Sequence, residues 1–240
     1  MLSLSDPTHF RKRVSGAGLI GFPLAGLIAA LIDADEGTDT AASELYSIAA
    51  SHGDAILVAA LVFIVSAILT VPAVGGIVHL VRDRGVTLAH IGGALVVLGA
   101  FGHMGYATWQ LTLSQISHAP AQAELIAFLD RQQSVMTPAL LPLLIALPVG
   151  VLLLVIALRR ARVVPRWFLT ATIATFAFDV VLNSTAVADT KLPIVVVWAA
   201  VTGLFGFLGV RVLQMSDADW TSPRPVDERP MVAVPDAAGA

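Results

Sequence analysis

The sequence predicts an all-α polytopic membrane bundle of six transmembrane helices with both termini in the cytoplasm. Three observations predict it. The 240 residues are 57% hydrophobic and only 13% charged, with a mean hydropathy of +0.83. A soluble domain is nearer a quarter charged, and this apolar excess cannot be hidden in one water-soluble core. Six apolar runs approach the roughly 20 residues that a bilayer crossing needs. The polar links between them alternate between basic and acidic.

Taken in order, residues 1–13 form a polar cytoplasmic tail ending in Arg11-Lys12-Arg13. The first span is Val14–Ile32; its length and the acidic segment after it favour an uncleaved helix over a signal peptide. Gly18, Gly21, Ala25 and Ala29 give it a small-residue side suited to close packing. Asp33–Asp54 is an acidic connection, within which Ala41–Ala50 has the pattern of a short amphipathic helix with Leu45, Ile48 and Ala49 on one side. The second span is about Ala55–Leu80, with Pro72 and Gly75-Gly76 bending its end. A tight basic turn, VRDRGVT, leads into the third span, about Leu88–Ser114. The connection Gln115–Thr137 contains a second amphipathic stretch, Ala121–Gln133, with Leu125, Phe128 and Leu129 clustered. The fourth span, Pro138–Leu158, carries three prolines, of which Pro148 is placed to kink it. RRARVVPR leads to the fifth span, Trp167–Val187, and Ile194–Leu213 is the sixth. Trp109 and Trp167 read as interfacial anchors, and Gly203, Gly206 and Gly209 as packing positions. The bundle thus occupies residues 14–214, and the Pro- and Asp-rich segment 215–240 reads as a disordered cytoplasmic tail.

With six spans, twelve of the 14 Lys and Arg residues fall on the side of the termini; only Arg131 and Lys191 fall on the other. That bias makes the terminal side cytoplasmic and the protein a multi-pass component of the cell membrane.

Asp179 is the acidic residue that cannot be placed in a loop or tail. A carboxylate at the bilayer centre costs about 2.5–3.5 kcal/mol on insertion scales, so such a residue marks a proton path, a ligand site or a tie between helices. Thr172, Thr175, Asp179 and Asn183 share one face of the fifth span, at i, i+3, i+7 and i+11. His103, Tyr106, Gln110 and Ser114 repeat that spacing on the third span, with Gly99 on the same side. Counting 1.5 Å per residue puts His103 and Asp179 within roughly 5 Å of the same depth. If the faces meet, they enclose a polar pocket. If they do not, each makes interhelical hydrogen bonds worth about 0.6 kcal/mol apiece.

The absence of cysteine excludes disulfides, thiolate metal sites and cysteine nucleophiles. His79 and His90 flank the turn between spans two and three, where two imidazoles are able to ligate haem iron. An interfacial role near arginines is the stronger reading, so no cofactor and no metal is expected. There is no phosphate-binding loop, HExxH or GxSxG.

The phrases ELYSIAASHGDAILVAALVFIVSAILTVPAVGGIVHLVRDRGVTLAHIGGAL and ALRRARVVPRW make the chain similar to a domain-of-unknown-function family of six-helix integral membrane proteins of high-GC Gram-positive bacteria. The resemblance implies fold and location and carries no activity. HMGYATWQ and FDVVLN are its least generic segments.

Three functions follow. The first is a membrane protein that binds or helps to move a small or lipophilic ligand, or a proton, at the His103/Asp179 site. The second is an enzyme acting on a lipid or isoprenoid, with Asp179 as general acid and His103 or Tyr106 assisting. The third is a structural or assembly subunit. The partners implied are the bilayer and the ligand or proton, with no nucleic acid.

Overall fold

The computed structural model describes residues 7–33, 41–116, 122–183 and 191–221. They form seven helices: α1 (Pro7–Ile32), α2 (Ala42–Leu80), α3 (Val86–Ser114), α4 (Gln122–Arg160), α5 (Arg166–Asn183), α6 (Leu192–Gln214) and the short α7 (Asp217–Thr221). No strand occurs among the described residues. Five helices, α1 to α4 and α6, are long and apolar enough to cross a membrane. α5 has 18 described residues, about 27 Å of helix, and carries Asp179.

Each helix packs mainly on its neighbours in a closed circuit. α1 packs on α2 and α6, α2 on α3, α3 on α4, and α5 on α4 and α6, while α2 also touches α4. Small residues set the closest approaches. A Cβ on Gly18 would lie 2.9 Å from the Ala73 nitrogen of α2, and one on Gly150 would lie 2.6 Å from the Gly92 carbonyl oxygen of α3. The small-residue side read on the first span therefore does face a neighbouring helix. In α6, Gly209 abuts the Gly16 carbonyl, but Gly203 and Gly206 face open space and are not packing positions. Gly85, at φ +84, makes the left-handed turn that α3 needs at its start.

At 39 residues each, α2 and α4 are about 58 Å long, well beyond the ~30 Å hydrocarbon layer. Their excess builds a second core at the end away from the Arg11–Arg13 and Arg159–Arg162 clusters. Leu45, Ala49 and Ile56 of α2 pack there with Trp109, Leu113, Ile116 and Leu129. The two amphipathic stretches are thus extensions of the long helices. α2 breaks at His52, where φ −128 and ψ 23 leave the helical region, and runs on through Pro72. α4 begins at Gln122 rather than Pro138, and contains all three of its prolines. Trp109 is 8% exposed within this core, so it is no interfacial anchor, whereas Trp167 is 52% exposed.

The expected disordered tail is overturned at its start. α7 folds back on the bundle with Trp220 2% exposed. Likewise, the N-terminal tail is helical from Pro7. Residues 222–240 lie outside the described set.

Candidate functional site

Two polar constellations stand at opposite ends of the bundle, with an aromatic cluster between them. At the basic end, buried Lys12 of α1 donates through Nζ to the Met215 carbonyl (2.9 Å) and to the Asp217 carboxylate. His9 adds a 3.4 Å contact to the same carboxylate. The Lys12 hydrogen bond first, and His9 second, hold the Asp217 carboxyl below its ordinary range. The Trp220 ring stacks on His79 at 4.3 Å, and Arg82 donates to the Trp220 and Thr221 carbonyls. His79 Nε2 lies 2.9 Å from the Trp220 carbonyl and 2.8 Å from Arg82 Nη1, which stands 3.5 Å from Nδ1.

The two histidines of the haem reading have different surroundings. His79 is stacked and hydrogen-bonded to α7, and His90 Nδ1 is turned to its own helix at the Val86 carbonyl, 2.8 Å away. No cluster of three or more potential metal ligands occurs among the described residues.

In the middle of the bundle, His103 of α3 is half-buried among rings from two other helices. Its centroid lies 6.3 Å from Phe63 of α2 and 6.0 Å from Trp198 of α6, and Tyr106 meets Phe63 edge-on at 6.1 Å. Trp198 fits because α1 offers Gly26, where a Cβ would fall 2.3 Å from the indole ring. His103 Nδ1 lies 2.9 Å from the Gly99 carbonyl. The carbonyl accepts, so Nδ1 holds the proton of the neutral ring and Nε2 keeps its lone pair. Nε2 has no hydrogen-bond partner among the described residues.

At the far end, Gln110 is fully buried and its Nε2 donates to Asp33 Oδ2 at 2.6 Å. Lys191, before α6, donates to the Asp33 backbone carbonyl. Asp33, read from the sequence as the first residue of a loop, is 7% exposed and ties α1 to α3 and to the start of α6.

The predicted residues thus divide. His103, Tyr106, Gln110 and Ser114 share one α3 face, as their spacing requires, and Gln110 and Ser114 are buried. Gly99 belongs to a different contact, against Leu147 of α4. Thr172 and Thr175 turn their hydroxyls to their own helix, at the Phe168 and Ala171 carbonyls (2.8 and 2.9 Å). The Asn183 side chain lies outside the described set. Asp179 is half-buried on α5 and makes no hydrogen bond or ion pair with His103. No hydrogen bond or ion pair from His103 to Asp179 joins the polar faces of α3 and α5. α5 has α4 and α6 as its packing partners, and the neighbours of His103 are Phe63 and Trp198.

No family model matches the chain, and no curated protein or solved structure matches it significantly. Function therefore rests on the geometry of this chain alone.

Phe63, Trp198, Asp33 and Lys191 escaped sequence reasoning. The rings looked like ordinary apolar positions, and Asp33 and Lys191 like loop charges. A weak signal existed for Lys191, which is the one lysine outside the N-terminal cluster.

Proposed function

We propose that this is a six-span integral protein of the cell membrane, with both termini in the cytoplasm, that binds a small lipophilic ligand or a proton at the intramembrane site around His103. Parity supports the sixth span. Lys12 near the start of α1 touches Met215 after the end of α6, so the chain between them makes an even number of crossings. Five long helices make an odd number, and α5 is the element left to complete the set. The twelve-to-two distribution of basic residues supports the cytoplasmic assignment.

The observation that carries the binding reading is the His103 ring. Its tautomer leaves a lone pair at Nε2 inside an aromatic surround built by three helices. A membrane-depth ring lined by flat apolar walls suits an uncharged lipophilic ligand, or a proton. Acid chemistry on that ligand would need Asp179 beside it, so the geometry favours binding without turnover. With no hydrogen bond or ion pair between His103 and Asp179, the enzyme reading is the weaker one.

Native mass spectrometry of the intact protein, released from a mild detergent, tests this. The expected result is a bound mass that is lost in His103→Leu and kept in Asp179→Asn. Retention of that mass by a folded His103→Leu protein refutes the site. A bare wild-type protein removes the ligand and leaves the proton.

A further inference from the structure

The α3 face that carries His103 holds a second acceptor without a partner. Gln110 Oε1 is buried and has no hydrogen bond among the described residues. Reversing the amide does not cure this, because Asp33 Oδ2 needs a donor and only Nε2 supplies one. No described residue donates to this buried carbonyl oxygen, so its donor has to come from beyond them. Gln110 lies seven residues beyond His103, about 10 Å further along α3. Tyr106 stands between them and packs against both the aromatic cluster and the far core. The Lys191 ammonium already sits on the Asp33 carbonyl, so a second cation is unwelcome there. A neutral O–H or N–H is the matching group.

We propose that the ligand is an amphiphile with an apolar body and a neutral donor head group. The body lies against the rings of Phe63, His103 and Trp198, and the head hydroxyl or N–H donates to Gln110 Oε1 at the far end of the bundle. Asp33, held in turn by Lys191, is the positioning residue that aims the Gln110 amide. This deepens, and rests on, the reading that the His103 cluster binds a lipophilic ligand.

The test uses the full chain in detergent at fixed mole fraction, with an ω-bromo long-chain alcohol and its methyl ether as probes. The bromine quenches tryptophan fluorescence on contact, and Trp198→Phe isolates the signal of the cluster. The alcohol is expected to bind on the order of tenfold more tightly than the ether, since only the alcohol has a proton to donate. In Gln110→Met, of similar volume, that preference falls to about one while quenching of Trp198 persists. Equal, saturable quenching by alcohol and ether in the wild-type protein overturns the head-group inference, leaves the cluster as a binding site and assigns Oε1 to a bound water. The wild-type comparison stands even where Gln110→Met fails to fold. Absence of saturable, Trp198-dependent quenching by either probe refutes the binding site itself.

Discussion

Gly150→Ala adds one methyl group at a close backbone contact between α3 and α4. The new Cβ would stand 2.6 Å from the Gly92 carbonyl oxygen, 2.7 Å from the Val96 nitrogen and 2.8 Å from Val96 Cγ2. Two of these atoms are backbone, so no rotamer change relieves them. Ordinary contact begins near 3.4 Å, which requires the helices to part by roughly 0.8 Å at this point. The whole seam is then loosened, since Gly99 and Gly102 also rest against α4, at Leu147 and Leu143. A radial gap of that size forfeits a quarter to a half of each dispersion contact. Overpacking costs about 1–3 kcal/mol, and the backbone character of the clash puts Gly150→Ala at about 3 kcal/mol. Gly203→Ala is the control, with nothing within 4 Å of its added carbon. It gains up to about 1 kcal/mol of helix propensity. The same chemical change therefore has opposite signs at two sites. Reversible unfolding in mixed micelles, followed by far-ultraviolet circular dichroism, measures both. A Gly150→Ala protein within about 0.5 kcal/mol of wild type refutes the close crossing of α3 and α4.

The other predictions concern the two polar ends. Asp33→Ala leaves the buried Gln110 amide with neither end satisfied, and should cost about 1–3 kcal/mol in the same unfolding assay. A neutral result would mean that the contact is not formed. Because the folded Asp217 carboxyl is held below its ordinary value, its contribution is complete above the unfolded carboxyl range, about pH 4. It is lost as pH falls through the lower, folded value. Docking of α7, read from protease access to the chain after Gln214, should accordingly weaken in acid, below about pH 4. Asp217→Asn should remove that acid step, and an unchanged profile would show that another group is responsible. Trp220→Ala, at a side chain 2% exposed, should undock α7 and expose the chain after Gln214 to protease while the spans stay folded.

Much of the fold was legible because membrane helices advertise themselves. Apolar runs marked the five helices long and apolar enough to cross a membrane, and the side-chain period of 3.6 put His103, Tyr106, Gln110 and Ser114 on one face. Periodicity names a face and not the neighbour opposite it. His103 meets Phe63 and Trp198 because α6 closes against α1, a contact between residues far apart in sequence. Asp33 was misread for a local reason: it follows the last apolar residue of α1, and only the burial of Gln110 from α3 makes it interior. The length of α2 and α4 was hidden by polar residues that end a hydropathy run without ending a helix. α7 had a readable signal. Ser216 accepts from the Asp219 backbone N–H at 3.0 Å and donates to its carboxylate at 2.9 Å, a capping pair three residues apart. A proline-rich composition downstream outweighed it.

The Lys12 contact with Met215 and Asp217 has a consequence for biogenesis. Lys12 of α1 is made long before its partners, with more than 200 residues between them. Until residue 217 is made, a side chain that ends almost wholly buried carries a charge with no anion beside it. α1 cannot reach its final seat early, and closure of the circuit waits for α6 and α7. A ribosome that stops short of Asp217 releases a bundle whose first and last helices have not been joined. The clasp therefore forms only once α6 and the start of α7 have been made.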